Sequence, residues 1–191
     1  MKDIPKFTLI LFIVTSMAAG ALSWVNQITL PRRIEQQQKA LNEGLVIILP
    51  GSENGAVVMV EDSLMNYYAS FQKPDTTQLI GYGFIAETKG YQSSIRTLVG
   101  MDTAGSILGI KILSQMETPG LGARCEEIRS GESTPWWQAQ FKNHFIEKLA
   151  VNQDGGDIQS ITGATITSRV ITNSILQTGQ ILLQRIKTGQ L

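Results

Sequence analysis

The chain holds a single cysteine, Cys125, and a single histidine, His144. One cysteine closes no intrachain disulfide, ligates no iron–sulfur cluster and makes no thioether haem site. A zinc site built from Cys and His is equally out of reach, so any redox chemistry requires an organic cofactor. Cys125 precedes Glu126 and Glu127, whose charges disfavour a thiolate, so it reads as packed and inert. His144 reads as a surface or packing residue. Charge is also scarce and balanced: charged residues make up 17% of the chain and the formal net charge is +0. No basic stripe exists to neutralise phosphates, which argues against nucleic acid as a partner. No acid–base pair or nucleophile triad is visible, so the pattern names no catalytic residue and no metal ligand.

Hydrophobic residues are plentiful, at 42% of 191. From residue 7 to residue 25 there is no charge at all, close to the ~20 residues a helix needs to cross a bilayer. Lys2 and Lys6 precede this run, and Trp24 stands near its far end as an interfacial aromatic would. A retained anchor uses the whole stretch; a cleaved signal peptide would use Ala19-Gly20-Ala21 as its small-residue site. The apolar run continues past that site, which favours an anchor over residues 1–30 with a cytoplasmic N-terminus, although Arg32 and Arg33 compete with the lysines in setting orientation. Residues 31–43 read as a helical stalk with Gln36, Gln37 and Gln38 exposed. Residues 44–191 then form one extracytoplasmic domain of ordinary size.

Within that domain, 51–55 is a glycine-containing turn cluster, and 57–60 and 67–71 are candidate strands. Three β-rich runs follow between 79 and 115, with Gly90 and Gly105 falling between them as hairpin turns require. Neighbouring strands joined by short turns make an antiparallel sheet. Residues 123–129 suggest a short helix, and another stretch runs from Pro135 through Phe145. Ile171, Ile175, Gly179, Leu182 and Ile186 recur at helical spacing and mark the buried face of a C-terminal helix. Thr167 or Ser168 is its expected N-cap. The fold class is α+β: an antiparallel sheet, helices packed on it, and a tether.

The sharpest local feature is Thr162-Gly163-Ala164-Thr165-Ile166-Thr167-Ser168, placed at the start of that helix. A helix N-terminus offers unpaired N–H groups and partial positive charge to a phosphate, and Gly163 permits close backbone approach. On local grounds alone these hydroxyls are equally ordinary capping residues. A second feature is Glu117-Thr118-Pro119-Gly120-Leu121-Gly122, a Pro-Gly turn leaving the sheet.

Together, about 45 residues apart and in this order, the two stretches resemble the FMN-binding domain in the G subunit of the Rnf electron transport complex. The same motifs occur in the C subunit of the sodium-translocating NADH:quinone reductase. The pattern there is an acidic residue, two variable positions, Ser or Thr, then Gly-Ala-Thr. The threonine after Gly-Ala carries FMN through a phosphoester. That threonine is Thr165 here; the acidic position falls on Gln159, and the nearest carboxylate is Asp157. The resemblance further implies that Thr162, Gly163, Ala164, Thr167 and Ser168 surround the cofactor, that Glu117 and Thr118 hydrogen-bond near it, and that Leu121 covers its ring.

The implied activity is an electron relay in a bacterial inner-membrane complex that passes electrons between reduced ferredoxin and NAD, coupled to ion movement. Its partners would be the other membrane subunits and a flavin transferase that uses FAD as donor. The short separation between anchor and sheet favours the Rnf protein over its quinone reductase counterpart. An FMN-binding regulatory or sensory membrane protein, and an exported scaffold without flavin, remain the alternatives.

Overall fold

The computed structural model describes residues 4–49, 57–61, 65–72 and 78–188; the turn cluster at 51–55 and Lys2 lie outside them. The chain divides into two compact units, Met1–Ala40 and Leu41–Leu191.

The first unit is the greater part of helix α1 (Ile4–Ile48), which is long and apolar enough to cross a membrane. Large apolar side chains, among them Phe7, Phe12 and Trp24, stand exposed along it. Its threonines turn their hydroxyls inward: Thr8, Thr15 and Thr29 each donate to the carbonyl four residues back, at 2.9 Å. That pattern leaves few polar groups needing water.

The second unit is built on a five-stranded antiparallel sheet whose strands neighbour one another in chain order. They are β1 (Val57–Val60), β2 (Tyr67–Phe71), β3 (Leu79–Lys89), β4 (Ser94–Asp102) and β5 (Ile107–Ser114). Period-two alternation sorts β4 cleanly: Ile95, Val99 and Met101 belong to one core, Leu98 to the other. On β5 a register shift opposite Gly100 and Met101 inserts one extra residue, Leu108. Ile107 and Ile110 thereby reach the same core despite their odd spacing.

Helix α3 (Thr165–Thr188) covers the larger core with the face its spacing marks. Ile171, Ile175 and Leu182 are fully buried. Gly179 allows the close approach, since a Cβ there would stand 2.6 Å from Ile146 Cδ1 and 3.2 Å from Phe84 Cζ. The opposite face receives the end of α1, where Leu45, Ile48 and Leu49 pack with Tyr68 and Leu98. Three glycines in register make room for it, Gly83 paired with Gly100 and Gly100 with Gly109. A Cβ on Gly100 would sit 2.6 Å from the Ile48 carbonyl oxygen.

Three expectations change. The helix expected at 123–129 is a 3-10 turn over Gly122–Glu126. In the Pro135–Phe145 stretch only α2 (Trp136–Ala139) is helical, because the chain must then turn through Asn143, at φ 67°, to return to the sheet. There the Asn143 N–H donates to the Ile107 carbonyl at 2.8 Å. Helix α3 begins at Thr165, ahead of both expected caps. The Ala164 carbonyl accepts the first helical bond, from the Ser168 N–H at 3.1 Å, which puts Thr167 and Ser168 inside the first turn.

Candidate flavin site

Three chain segments converge at the start of α3: the β3–β4 turn, the loop after β5, and the loop that ends at Ala164. They enclose a cleft of about 440 Å³ lined by Tyr91, Glu117, Thr118, Leu121, Gly122 and residues 163–167. The volume falls within the usual range for small-molecule sites.

The floor of the cleft is organised by Glu117, which is 5% exposed. Its Oε1 accepts the N–H groups of Gln92 and Ser93 at 2.9 and 3.0 Å, and its Oε2 that of Tyr91 at 3.2 Å. The Thr167 hydroxyl donates to Oε2 at 2.7 Å. Burial alone would raise the pKa of this carboxyl, but the Thr167 hydroxyl and the three amides outweigh it and hold it below the usual carboxylate value. Glu117 is therefore ionised and fully engaged. Gly122 passes so close that a Cβ would lie 2.8 Å from the Thr167 hydroxyl.

The loop before α3 is fixed from the side. Trp137 Nε1 donates to the Gln159 carbonyl at 2.9 Å, and the Gln159 N–H donates to Gln140 Oε1 at 2.9 Å. The Ser160 N–H and hydroxyl both bond Asn152 Oδ1 at 3.1 Å. Gln159 is exposed, and it is its backbone carbonyl and N–H that tie the loop to Trp137 and Gln140. Gly163 turns the chain at φ +78°, and a Cβ there would meet Leu121 Cδ2 at 3.0 Å. Ser168 is spent internally: its hydroxyl accepts the Ile161 N–H at 2.9 Å and faces the Ala164 carbonyl at 3.1 Å.

What remains open to the cleft is the helix end. The backbone N–H groups of Thr165, Ile166 and Thr167 have no acceptor among the described residues, as the first turn of a helix dictates. The Thr165 hydroxyl likewise has no hydrogen-bond partner among them. Among the described residues no lysine, arginine or histidine lines the cleft, so an anion here would rely on backbone donors and the helix dipole. Leu121 and Ile166, 43% and 51% exposed, add an apolar surface. A phosphate beside an aromatic ring system fits this donor set.

Of the residues singled out in sequence, Glu117, Thr118, Leu121, Gly163, Ala164, Thr165 and Thr167 meet at the cleft. Thr162 and Ser168 are outside its lining. Tyr91, Gly122 and Ile166 join it without having been singled out as site residues. Gly122 and Ile166 were inside the quoted stretches, whereas Tyr91 carried no signal beyond its place next to a turn glycine. Cys125 is fully buried, and burial, with the charge of Glu126, pushes its thiol up to about 12.

The cleft and its sheet define a class: residues 90–178 match the FMN-binding domain family. The G subunit of the ion-translocating oxidoreductase complex of Shewanella piezotolerans is 30% identical over 190 residues, covering 91% of this chain and 87% of that one. The corresponding G subunit of Haemophilus influenzae is 36% identical over 105 residues, about half of each chain (52% and 51%). The crystal structure of the C subunit of the Na(+)-translocating NADH-quinone reductase from Parabacteroides distasonis shares the fold. Its TM-score is 0.52 at 20% identity, over 80% of this chain and 96% of that one. The chain belongs to the family of ion-translocating oxidoreductase complex G subunits.

Proposed function

We propose that this chain is an electron-carrying flavoprotein subunit of a membrane-bound ion-translocating ferredoxin:NAD oxidoreductase complex, with FMN joined through its phosphate to Thr165 Oγ1. The carrying observation is the helix start: an unengaged hydroxyl on Thr165 beside three amides without acceptors, in the lining of a largely apolar cleft. Bound there, FMN supplies electron transfer in single-electron steps. The protein's share is to hold the phosphate with the amides of Thr165, Ile166 and Thr167 and to cover the ring with Leu121 and Ile166. Thr118 and the Glu117–Thr167 pair shape the floor.

Attachment is balanced with FAD as donor and a flavin transferase as catalyst. The Thr165 oxygen forms the new bond to the phosphorus on the riboflavin side, the pyrophosphate linkage breaks, AMP leaves, and the hydroxyl proton passes to the transferase. The family relation supports other membrane subunits as partners. The apolar part of α1 supports a single-pass anchor over residues 1–30, followed by a stalk over 31–43. We place the domain of residues 44–191 on the extracytoplasmic side, where a covalent bond prevents loss of FMN by dilution.

Intact mass is the decisive measurement. Chain co-produced with a flavin transferase should gain the mass of one FMN less one water and turn yellow, and Thr165→Ala should lose both while melting as wild type does. A wild-type chain from its native membrane without this added mass would sink the proposal. The same measurement reads whether the segment ending at Ala21 has been removed.

A further inference from the structure

Among the described residues Tyr91 is the only aromatic one lining the cleft, and neither motif contains it. Its side chain is 70% exposed, so it contributes little to the core. Its backbone, by contrast, is held firmly. Three consecutive N–H groups, from Tyr91, Gln92 and Ser93, point at one buried carboxylate, that of Glu117. Such a cradle of successive amides is an anion-binding arrangement, here filled by the protein's own charge. The Gly90 N–H closes the turn on the Ser93 carbonyl at 2.7 Å. A Cβ on Gly90 would collide with Glu117 Oε1 at 2.6 Å. Ser93 Oγ in turn accepts the Met116 N–H at 2.8 Å, and the Thr118 hydroxyl reaches Gln92 Oε1 at 3.2 Å.

A hairpin turn needs none of this; a two-residue turn with suitable residues closes by itself. The extra bonds fix something else, the position of the turn relative to α3. The same Glu117 carboxylate takes the Thr167 hydroxyl from the first turn of that helix. The Tyr91 turn and the helix start that carries Thr165 therefore hang from the same carboxylate, although Glu117 and Thr167 stand 50 residues apart in sequence.

Building on the flavin reading of the cleft, we propose that Tyr91 is the aromatic residue that stacks on the FMN ring system, with Glu117 as its positioning residue. Aromatic pairs favour offset stacking, and an exposed tyrosine gains this contact at least cost when its backbone is held in place beforehand. Glu117 provides that hold, and its charge is kept on the carboxylate by the hydrogen bonds it accepts.

The test uses the full-length chain carrying its flavin, with intact mass to measure loading and steady-state emission to read stacking. A tyrosine in contact with an excited flavin quenches it by giving an electron that then returns, so no net chemistry is involved. Tyr91→Ala should keep the FMN mass and the wild-type melting temperature while flavin emission rises severalfold; Tyr91→Trp should stay quenched. Glu117→Gln should also raise emission at full loading, and the double variant with Tyr91→Ala should emit no more than Tyr91→Ala alone. A loaded wild type whose emission equals that of Tyr91→Ala overturns the assignment of Tyr91 and leaves the flavin site standing. A double variant brighter than Tyr91→Ala overturns the positioning role of Glu117. A wild type without the FMN mass overturns the flavin reading and this one with it. The Tyr91 variants carry the test even where Glu117→Gln fails to fold, because their side chain is exposed.

Discussion

The two faces of the sheet are covered by opposite means. On the α3 face, large side chains fill the space: Phe84, Ile95, Met101, Trp137, Phe141 and Ile171 are all fully buried. On the α1 face, glycines make the room: Gly83 and Gly109 leave space for the side chains of Leu45, Leu49 and Ile48, and Gly100 lets the Ile48 backbone come down onto the strand. A side-chain core adapts, because rotamers and small shifts absorb a change of shape. A backbone contact has no such freedom. The cleft lies on the side of the first region, lined by the start of α3, the loop after β5 and Tyr91, while on the second region the last turns of α1 pack against the sheet. The cleft side and the helix-end side are thus packed by different rules on the two faces of one sheet.

The largest expected effect lies on the filled face. Trp137 is fully buried, meets Phe141 edge-on at 5.0 Å between ring centres, and donates to the Gln159 carbonyl. Trp137→Ala should cost about 3–5 kcal/mol by truncation of a buried aromatic. It also frees the loop before Thr165, so flavin loading by mass should fall in molecules that remain folded. If chemical denaturation shows a loss no larger than a surface substitution's, the filled-face description is wrong. Next comes the glycine face. Gly100→Ala puts a methyl 2.6 Å from the Ile48 carbonyl oxygen, and overpacking of this kind costs about 1–3 kcal/mol. Its flavin loading should be unchanged, which a mass spectrum of the folded variant checks.

This asymmetry also explains what could be read from sequence. The C-terminal helix was legible because Ile171, Ile175, Gly179, Leu182 and Ile186 repeat at helical spacing, and burial follows that repeat. The last three strands, β3 to β5, were legible from their composition and the glycines between them. The glycine face was not, because Gly83, Gly100 and Gly109 acquire meaning only once strand register lines them up. The α3 start was misjudged for a related reason. Thr167 and Ser168 look like caps, yet each hydroxyl is claimed by a tertiary partner, Glu117 and the Ile161 amide, that no local pattern reveals. Most of the cleft was visible in two motifs, but the contacts that hold it, from Trp137, Gln140 and Asn152, come from residue types with no motif of their own.

Glu117 sharpens the comparison from the side of the cleft, where a charge rather than a large side chain does the filling. Its pKa in the folded chain lies below the usual carboxylate value, held there by the Thr167 hydroxyl and the three amides against the opposing pull of burial. A depressed carboxyl stabilises the fold above its unfolded pKa and loses that contribution as pH falls through the folded value. Glu117→Gln should therefore cost about 1–3 kcal/mol at neutral pH, the worth of hydrogen bonds to a charged group. The gap between variant and wild type should narrow as pH drops below about 4.3, the ordinary glutamate value. Melting curves from neutral pH down to about pH 3 measure this, and a gap that widens in acid would contradict the assignment of an ionised Glu117.

The smallest effect provides the fairest comparison of the two faces. Ile175→Val removes one methyl from the filled face, where Ile175 is fully buried, just as Gly100→Ala adds one to the other. Losing a buried methyl costs about 0.5–1.5 kcal/mol, because the transfer energy of one carbon is lost and neighbouring side chains relax into part of the space. Adding a methyl against a carbonyl gives no comparable relief, since the neighbour that must move is helix backbone. Alanine also stiffens the unfolded chain, which by itself favours the folded variant by about 0.4–1 kcal/mol; the clash must exceed that gain. Equilibrium denaturation of both variants in one buffer should therefore rank Gly100→Ala as the more destabilised. The reverse order would mean that the end of α1 yields as readily as a side chain, and that the glycine line is slack rather than tight.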